Sequence, residues 1–128
     1  MKKVVVFGIF DGVHDGHRSL FSQAKKHGDH LTVLVGRDKA CMELKNKKTK
    51  NCEKKRRLLV AKDPLVDRAF LGDVERSTYR KLQEINPDVI CLGYDQEDLQ
   101  RDLEKWVKRK GVGFSLRRLK MLIPKNLK

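Results

Sequence analysis

The stretch "VVVFGIFDGVHDGH", Val4 to His17, decides how this chain is read. Three valines and a phenylalanine in a row suit a strand that is buried on both faces. The ten residues from Gly8 to His17 then bring three glycines, two aspartates and two histidines. A strand that turns through such a segment into a helix leaves unpaired backbone N–H groups at the helix start, where an anion can bind. Gly8 and Gly16 let the backbone come close to a bound group. His14 in the loop and His17 in the first helical turn are placed to donate hydrogen bonds to phosphoryl oxygens. The junction therefore reads as a phosphate site.

Working outward, short apolar runs recur at Lys2 to Phe7, His30 to Val35, Val66 to Leu71, Asp88 to Leu92 and Val112 to Leu116, each of strand length. Helical patterns lie between them. Leu20, Phe21 and Ala24 mark one apolar face after Gly16. Leu58, Leu59 and Ala61 mark a second helix, from Cys52 to Lys62, which Asp63-Pro64 stops. Tyr79, Leu82 and Ile85 belong to a third, ended by Asn86-Pro87. Leu99, Leu103, Trp106 and Val107 follow the helical period in a fourth, which stops at Gly111. Strands alternating with helices imply a small, Rossmann-like, doubly wound α/β fold: about five parallel strands with helices on both faces. Asp38 to Asn51 shows no clear period, and its lysines suggest a mobile basic loop.

Composition narrows the class. The 128 residues suit one domain, and 39% hydrophobic with 37% charged residues suits a soluble globular protein. No apolar run approaches the roughly 18 residues of a membrane span, and "VVVF" is too short for a signal-peptide core, so a cytoplasmic location with no membrane partner is expected. Cys41, Cys52 and Cys91 make an odd count with no C-x-x-C pair, which fits reduced thiols. The net charge is +13, with lysines and arginines crowded into Glu43 to Arg57 and Lys105 to Lys120. Such clusters attract polyanions, either a nucleic acid or a nucleoside triphosphate. No recognition helix, zinc finger or aromatic stacking signature supports the nucleic acid.

In an open parallel sheet, ligands bind outside the carboxyl ends of the strands where the strand order reverses. The unusual residues fall at those ends: Gly8 to His17 after the first strand, Gly36-Arg37-Asp38 after the second, and Gly93-Tyr94-Asp95-Gln96 after the fourth.

The segment "GIFDGVHDGH" resembles the G-T-F-D-x-x-H-x-G-H signature of the cytidylyltransferase-like nucleotidyltransferases, which include glycerol-3-phosphate cytidylyltransferases and archaeal-type FMN adenylyltransferases (FAD synthetases). The likeness runs from Lys2 to Leu116. It implies transfer of a nucleotidyl group from a nucleoside triphosphate to a small phosphorylated acceptor, with release of pyrophosphate. An acceptor phosphate is already an anionic nucleophile, so such an enzyme needs alignment and charge stabilisation more than a base. By this resemblance His14 and His17 face the α-phosphate. Lys48, with Lys47 as the alternative, and Arg56, with Arg57 as the alternative, reach the triphosphate and the acceptor phosphate. Gly8, Ile9, Phe10, Asp11 and Gly16 border the nucleotide, and Ile9 stands where the family usually has a hydroxyl. Gly93 and Asp95 lie at the base and ribose. "LGYDQ" looks more like the FMN adenylyltransferases, which favours ATP over CTP and FMN as acceptor. Mg²⁺ is expected on the substrate phosphates rather than in a protein cage, with Asp11 and Asp38 near it or orienting a basic group. Dimers are common in the relatives, so a homodimer is expected. The family's C-terminal serine/threonine turn and phosphate-binding helix have no counterpart before Lys128, so they are expected beyond it or replaced by Arg117 and Arg118.

Other residues carry plainer expectations. His27 and His30 read as turn residues, and Asp38 and Asp95 as alternative helix N-caps. Trp106 reads as core, and Cys91 as a buried, inert thiol.

Overall fold

Val4, Val5 and Val6 are completely buried because β1 (Lys3–Gly8) has a strand on each side and helices on both faces. The computed structural model describes residues 1–13, 15–45, 48–74, 78–93, 96–110 and 115–118, with residues 15, 43–45 and 115–118 described by backbone alone. Around β1 run β2 (His30–Val35), β3 (Arg68–Leu71), β4 (Val89–Leu92) and β5 (Ser115–Arg118), in the order β3-β2-β1-β4-β5. Every pairing is parallel. The third and fourth strands are shorter than their apolar runs, and β5 lies further along the chain than Val112 to Leu116.

Side chains alternate across β1 as a strand requires. Val4 and Val6 join Leu31, Val33 and Val35 beneath Leu20, Phe21 and Ala24 of α1 (Asp15–Lys25) and Val60 of α3 (Glu53–Ala61). Val5 faces the other way, with Leu34 and Ile90, toward Leu82 of α4 (Arg80–Ile85) and Leu103 and Trp106 of α5 (Glu97–Lys110). Each large side chain so buried stabilises the fold by about 1.5–3 kcal/mol relative to exposure. Trp106 and Cys91 are core residues, as expected.

At the opposite end of the sheet from the site, Asp67 ties β2 to α1 by accepting the Leu31 N–H at 2.7 Å and pairing with Lys25. Burial raises the Asp67 pKa, but the bonds from Lys25 and Leu31 outweigh it and hold the carboxyl below its ordinary value.

Two expectations are corrected. The segment after β2 is not a plain loop, because α2 spans Asp38–Lys45. Its first helical bond runs from the Cys41 N–H to the Arg37 carbonyl at 3.1 Å, and Asp38 in the first turn suits the helix dipole. Its period is faint because Cys41 turns inward while Met42 is exposed. In α3 the buried positions are Arg56 and Val60, while Leu58 is 51% exposed. The inward stripe begins with an arginine, which hid it from a search for apolar residues.

Candidate active site

Past Gly8 the chain turns sharply. Phe10 has a positive φ of 55°, and its ring folds back beneath Gly8 so closely that a Cβ there would lie 2.4 Å from Phe10 Cζ. Only hydrogen fits at that position. The Phe10 ring is buried, edge-on to the His17 ring with centroids 4.9 Å apart, and tilted against Phe21 at 5.4 Å. Phe10 thus forms a wall for His17, which sits in the first turn of α1. Gly12, at φ 94°, completes the turn by donating its N–H to the Phe10 carbonyl at 2.9 Å.

Arg56 fastens this turn to its neighbours. The side chain is fully buried, yet it reaches three loops at the carboxyl end of the sheet. Its Nη1 donates to the carbonyls of Ile9 at 2.9 Å and Gly36 at 2.7 Å, and its Nε to that of Asn51 at 3.1 Å. Nη2 pairs with Asp38 Oδ1 at 2.6 Å. A planar fork with five donors suits such a cluster of acceptors. The Arg56 bond from Nη2 is the first cause holding the Asp38 carboxyl below its ordinary range.

Asp11 docks the lysine-bearing segment between α2 and α3. Asp11 accepts the Lys50 N–H at 2.7 Å, the Asn51 N–H at 3.0 Å and the Asn51 side-chain amide at 3.2 Å. The bond from Lys50 is the main reason its pKa lies below the usual value. Asp38 and Glu53 cap each other's helices. The Asp38 N–H donates to Glu53 Oε1 at 3.0 Å, and the Glu53 N–H to Asp38 Oδ2 at 3.3 Å. Arg37 Nη1 secures the same glutamate at 2.9 Å.

A second junction lies where the strand order reverses. Pairing of β1 with β4 stops at Val6↔Cys91. Beyond it the Gln96 carboxamide spans the two strand ends, accepting the Gly93 N–H at 2.8 Å and donating to the Phe7 carbonyl at 3.0 Å.

These features sit in a chain whose residues 5–127 match the sequence pattern described as cytidylyltransferase-like. The chain belongs to the cytidylyltransferase-like family. It is 42% identical over 88% of its length to an FAD synthase of Ferroglobus placidus, covering 72% of that protein. It is 38% identical to an FAD synthase of Aciduliprofundum boonei, covering 94% of this chain and 79% of the other. Among solved structures, a lipopolysaccharide core biosynthesis protein of Thermoplasma volcanium is 32% identical with a TM-score of 0.86, covering 96% of this chain and 99% of that one. A pantoate-beta-alanine ligase of Francisella tularensis shares the fold at a TM-score of 0.64 and 14% identity, covering 97% of this chain and 60% of the other.

The expected site residues do not all fall together. The structure brings Gly8, Ile9, Phe10, Asp11, Gly16, His17 and Arg56 to the carboxyl ends of β1 and β2, with exposed Lys48 in the segment that Asp11 docks. Gly93 lies at the end of β4, across the sheet's reversal point from β1. His14, Lys47, Tyr94 and Asp95 lie outside the described residues, as do the side chains of Arg117 and Arg118. Arg57 points elsewhere, its Nη1 3.4 Å from the Ala69 carbonyl at the sheet edge. It helps line an open groove of about 770 Å³ along β3 that does not include the β1–β4 junction. Arg56 is therefore the arginine joined to the site, and its guanidinium is committed to protein acceptors rather than presented at the surface. Phe10 serves as packing for His17, and Ile9 Cδ1 lies 2.6 Å from where a Gly36 Cβ would stand, so its side chain fills space between the loops.

Sequence reasoning gave no role to Glu53, Asn51 or Gln96. Glu53 was legible as an acidic residue in a helix's first turn. Gln96 stood inside "LGYDQ" directly before α5, but its bond to Phe7 spans 89 positions in sequence.

Among the described residues, no three His, Cys, Asp or Glu side chains group as a metal site. The oxygens of Asp11 and Asp38 already accept bonds from backbone N–H groups and Arg56. No described helix is long and apolar enough to cross a membrane.

Proposed function

We infer that this protein is a nucleotidyltransferase that moves the adenylyl group of ATP onto FMN, forming FAD and pyrophosphate. The observation that carries the reading is the joining of three loops by Arg56, Asp11 and Asp38 around the helix turn that holds His17. It is supported by the 38% and 42% identity to proteins named FAD synthase.

In the reaction, an FMN phosphate oxygen bonds to the α-phosphorus of ATP while the bond from that phosphorus to the β-bridging oxygen breaks. Pyrophosphate takes the electron pair. No protein base is needed, since the FMN phosphate is ionised at neutral pH. His17, with His14, donates hydrogen bonds to the α-phosphoryl oxygens, where charge builds in the transition state. The start of α1 adds the positive end of its helix dipole on the same side. Lys48 supplies positive charge to the leaving pyrophosphate. Arg56 keeps the three loops in register and leaves phosphate contact to others. In this reading Mg²⁺ arrives with the triphosphate as part of the substrate. The reading includes a homodimer, which sedimentation velocity checks.

The test is to incubate the protein with Mg²⁺, FMN and either ATP or CTP, and to quantify FAD and pyrophosphate. FAD should form with ATP, and His17→Ala should lower turnover about 100-fold or more while the fold survives. Turnover of CTP with glycerol 3-phosphate, and none with FMN, would replace this reading by the cytidylyl alternative. Pyrophosphate release that is indifferent to His17→Ala would end it.

A further inference from the structure

We propose that Gln96 is a positioning residue that fixes the width of the crevice between β1 and β4, and thereby the binding of the nucleoside half of the substrate. The inference rests on the function proposed above.

At the reversal point the two central strands part. β1 continues beside β2, with Phe7↔Leu34 and Gly8↔Val35, while β4 continues beside β5, with Leu92↔Arg118. Open α/β sheets admit ligands at this place. A crevice between diverging strands has no ladder of its own to set its width. Here one side chain replaces the missing rung. Gln96 Oε1 accepts from the Gly93 N–H of one strand end, and its Nε2 donates to the Phe7 carbonyl of the other. A carboxamide offers an acceptor and a donor on one planar group that does not ionise.

The span is held from behind as well. The Gln96 N–H donates to the Gly93 carbonyl at 3.1 Å, and the Gln96 carbonyl accepts the Gln100 N–H at 3.0 Å in the first turn of α5. The carboxamide therefore hangs from a fixed backbone. Phe7 also directly precedes Gly8, so a shift of one crevice wall moves the turn that leads to His17.

Gln96→Glu keeps the shape and the acceptor, but when ionised it cannot donate to Phe7. It should raise the KM for ATP and the Kd of a non-hydrolysable ATP analogue by about tenfold, with kcat changed less than about threefold. Protonation of the introduced carboxyl restores the donor. The ratio of KM between variant and wild type should therefore shrink as pH falls from 7.5 toward about 5. Gln96→Ala, which removes both bonds, should show the same rise without the recovery.

Thermal melts of each variant accompany the kinetics. Values of KM and Kd within twofold of wild type in both variants overturn the proposal. So does a fall in kcat alone that tracks a lower melting temperature, the signature of a purely structural role. If wild type itself neither binds nor turns over ATP, it is the proposed function that has failed, and this inference falls with it.

Discussion

Arg56 is wholly buried, yet its Nη2 lies 2.6 Å from an Asp38 carboxylate whose side chain is 46% exposed. The pair is a charge carried inward on α3 and neutralised at the rim of the sheet. Removing the arginine takes the donor from the carbonyls of Ile9 and Gly36, while the Asn51 carbonyl keeps the Thr49 hydroxyl and Asp38 keeps the Glu53 N–H. Arg56→Ala should cost about 3–5 kcal/mol, read as a lower urea midpoint at unchanged m-value. Arg56→Lys should recover little of this, since a single ammonium cannot span acceptors on three loops. Asp38→Asn should cost less, about 1–2 kcal/mol, because a hydrogen bond to Arg56 can persist and solvent already screens the carboxylate. A loss for Asp38→Asn equal to that for Arg56→Ala would contradict this account.

The same arginine shows how much of the protein was legible in its sequence. The strand-helix alternation and the residues after β1 were readable because apolar runs and glycine-rich turns are local signals. α2 and the buried face of α3 were not. An inward arginine breaks the apolar period, and its reason lies in three carbonyls from loops up to 47 positions away. Gln96 was hidden for a similar cause, since its partner Phe7 belongs to the other side of the fold. Residues placed by local geometry, such as Gly8 at the strand end and His17 in the first turn of α1, could be located from the sequence. Those that act by joining loops needed the three-dimensional structure.

Asp11 makes the docking of the Lys48–Asn51 segment sensitive to acid. Its folded pKa is depressed from 3.8, first by the bond from the Lys50 N–H. The sign follows from linkage: the contribution is complete above the unfolded pKa and is lost as pH falls through the lower folded value. Docking should therefore be intact at neutral pH and released only in strong acid. Amide resonances of Lys50 and Asn51 should titrate together, with a midpoint below 3.8. In Asp11→Asn the Lys50 resonance should lose this dependence, while FAD formation falls because Lys48 is no longer held beside the turn. A midpoint above 3.8 would sink the assignment.

Gly8 and Phe10 couple the strand end to His17, the histidine proposed to face the α-phosphate. A methyl group at Gly8 would meet Phe10 Cζ at 2.4 Å, Cε2 at 2.6 Å and Cε1 at 2.9 Å, and the ring cannot swing away because Phe21 and His17 enclose it. Gly8→Ala should cost about 1–3 kcal/mol as an overpacked site. Turnover should fall by more than that loss of stability predicts at temperatures well below melting, since the displaced ring carries the His17 wall with it. Phe10→Leu separates the two effects. A smaller side chain leaves Gly8 unstrained but removes the edge-on contact to His17, so kcat should drop while the KM for ATP stays near wild type. In the double variant Gly8→Ala, Phe10→Leu, part of the stability lost in Gly8→Ala should return, because the ring atoms that opposed the methyl group are gone. Strict additivity of the two single changes, measured by urea unfolding, would show that the contact between Gly8 and the Phe10 ring does not govern the turn.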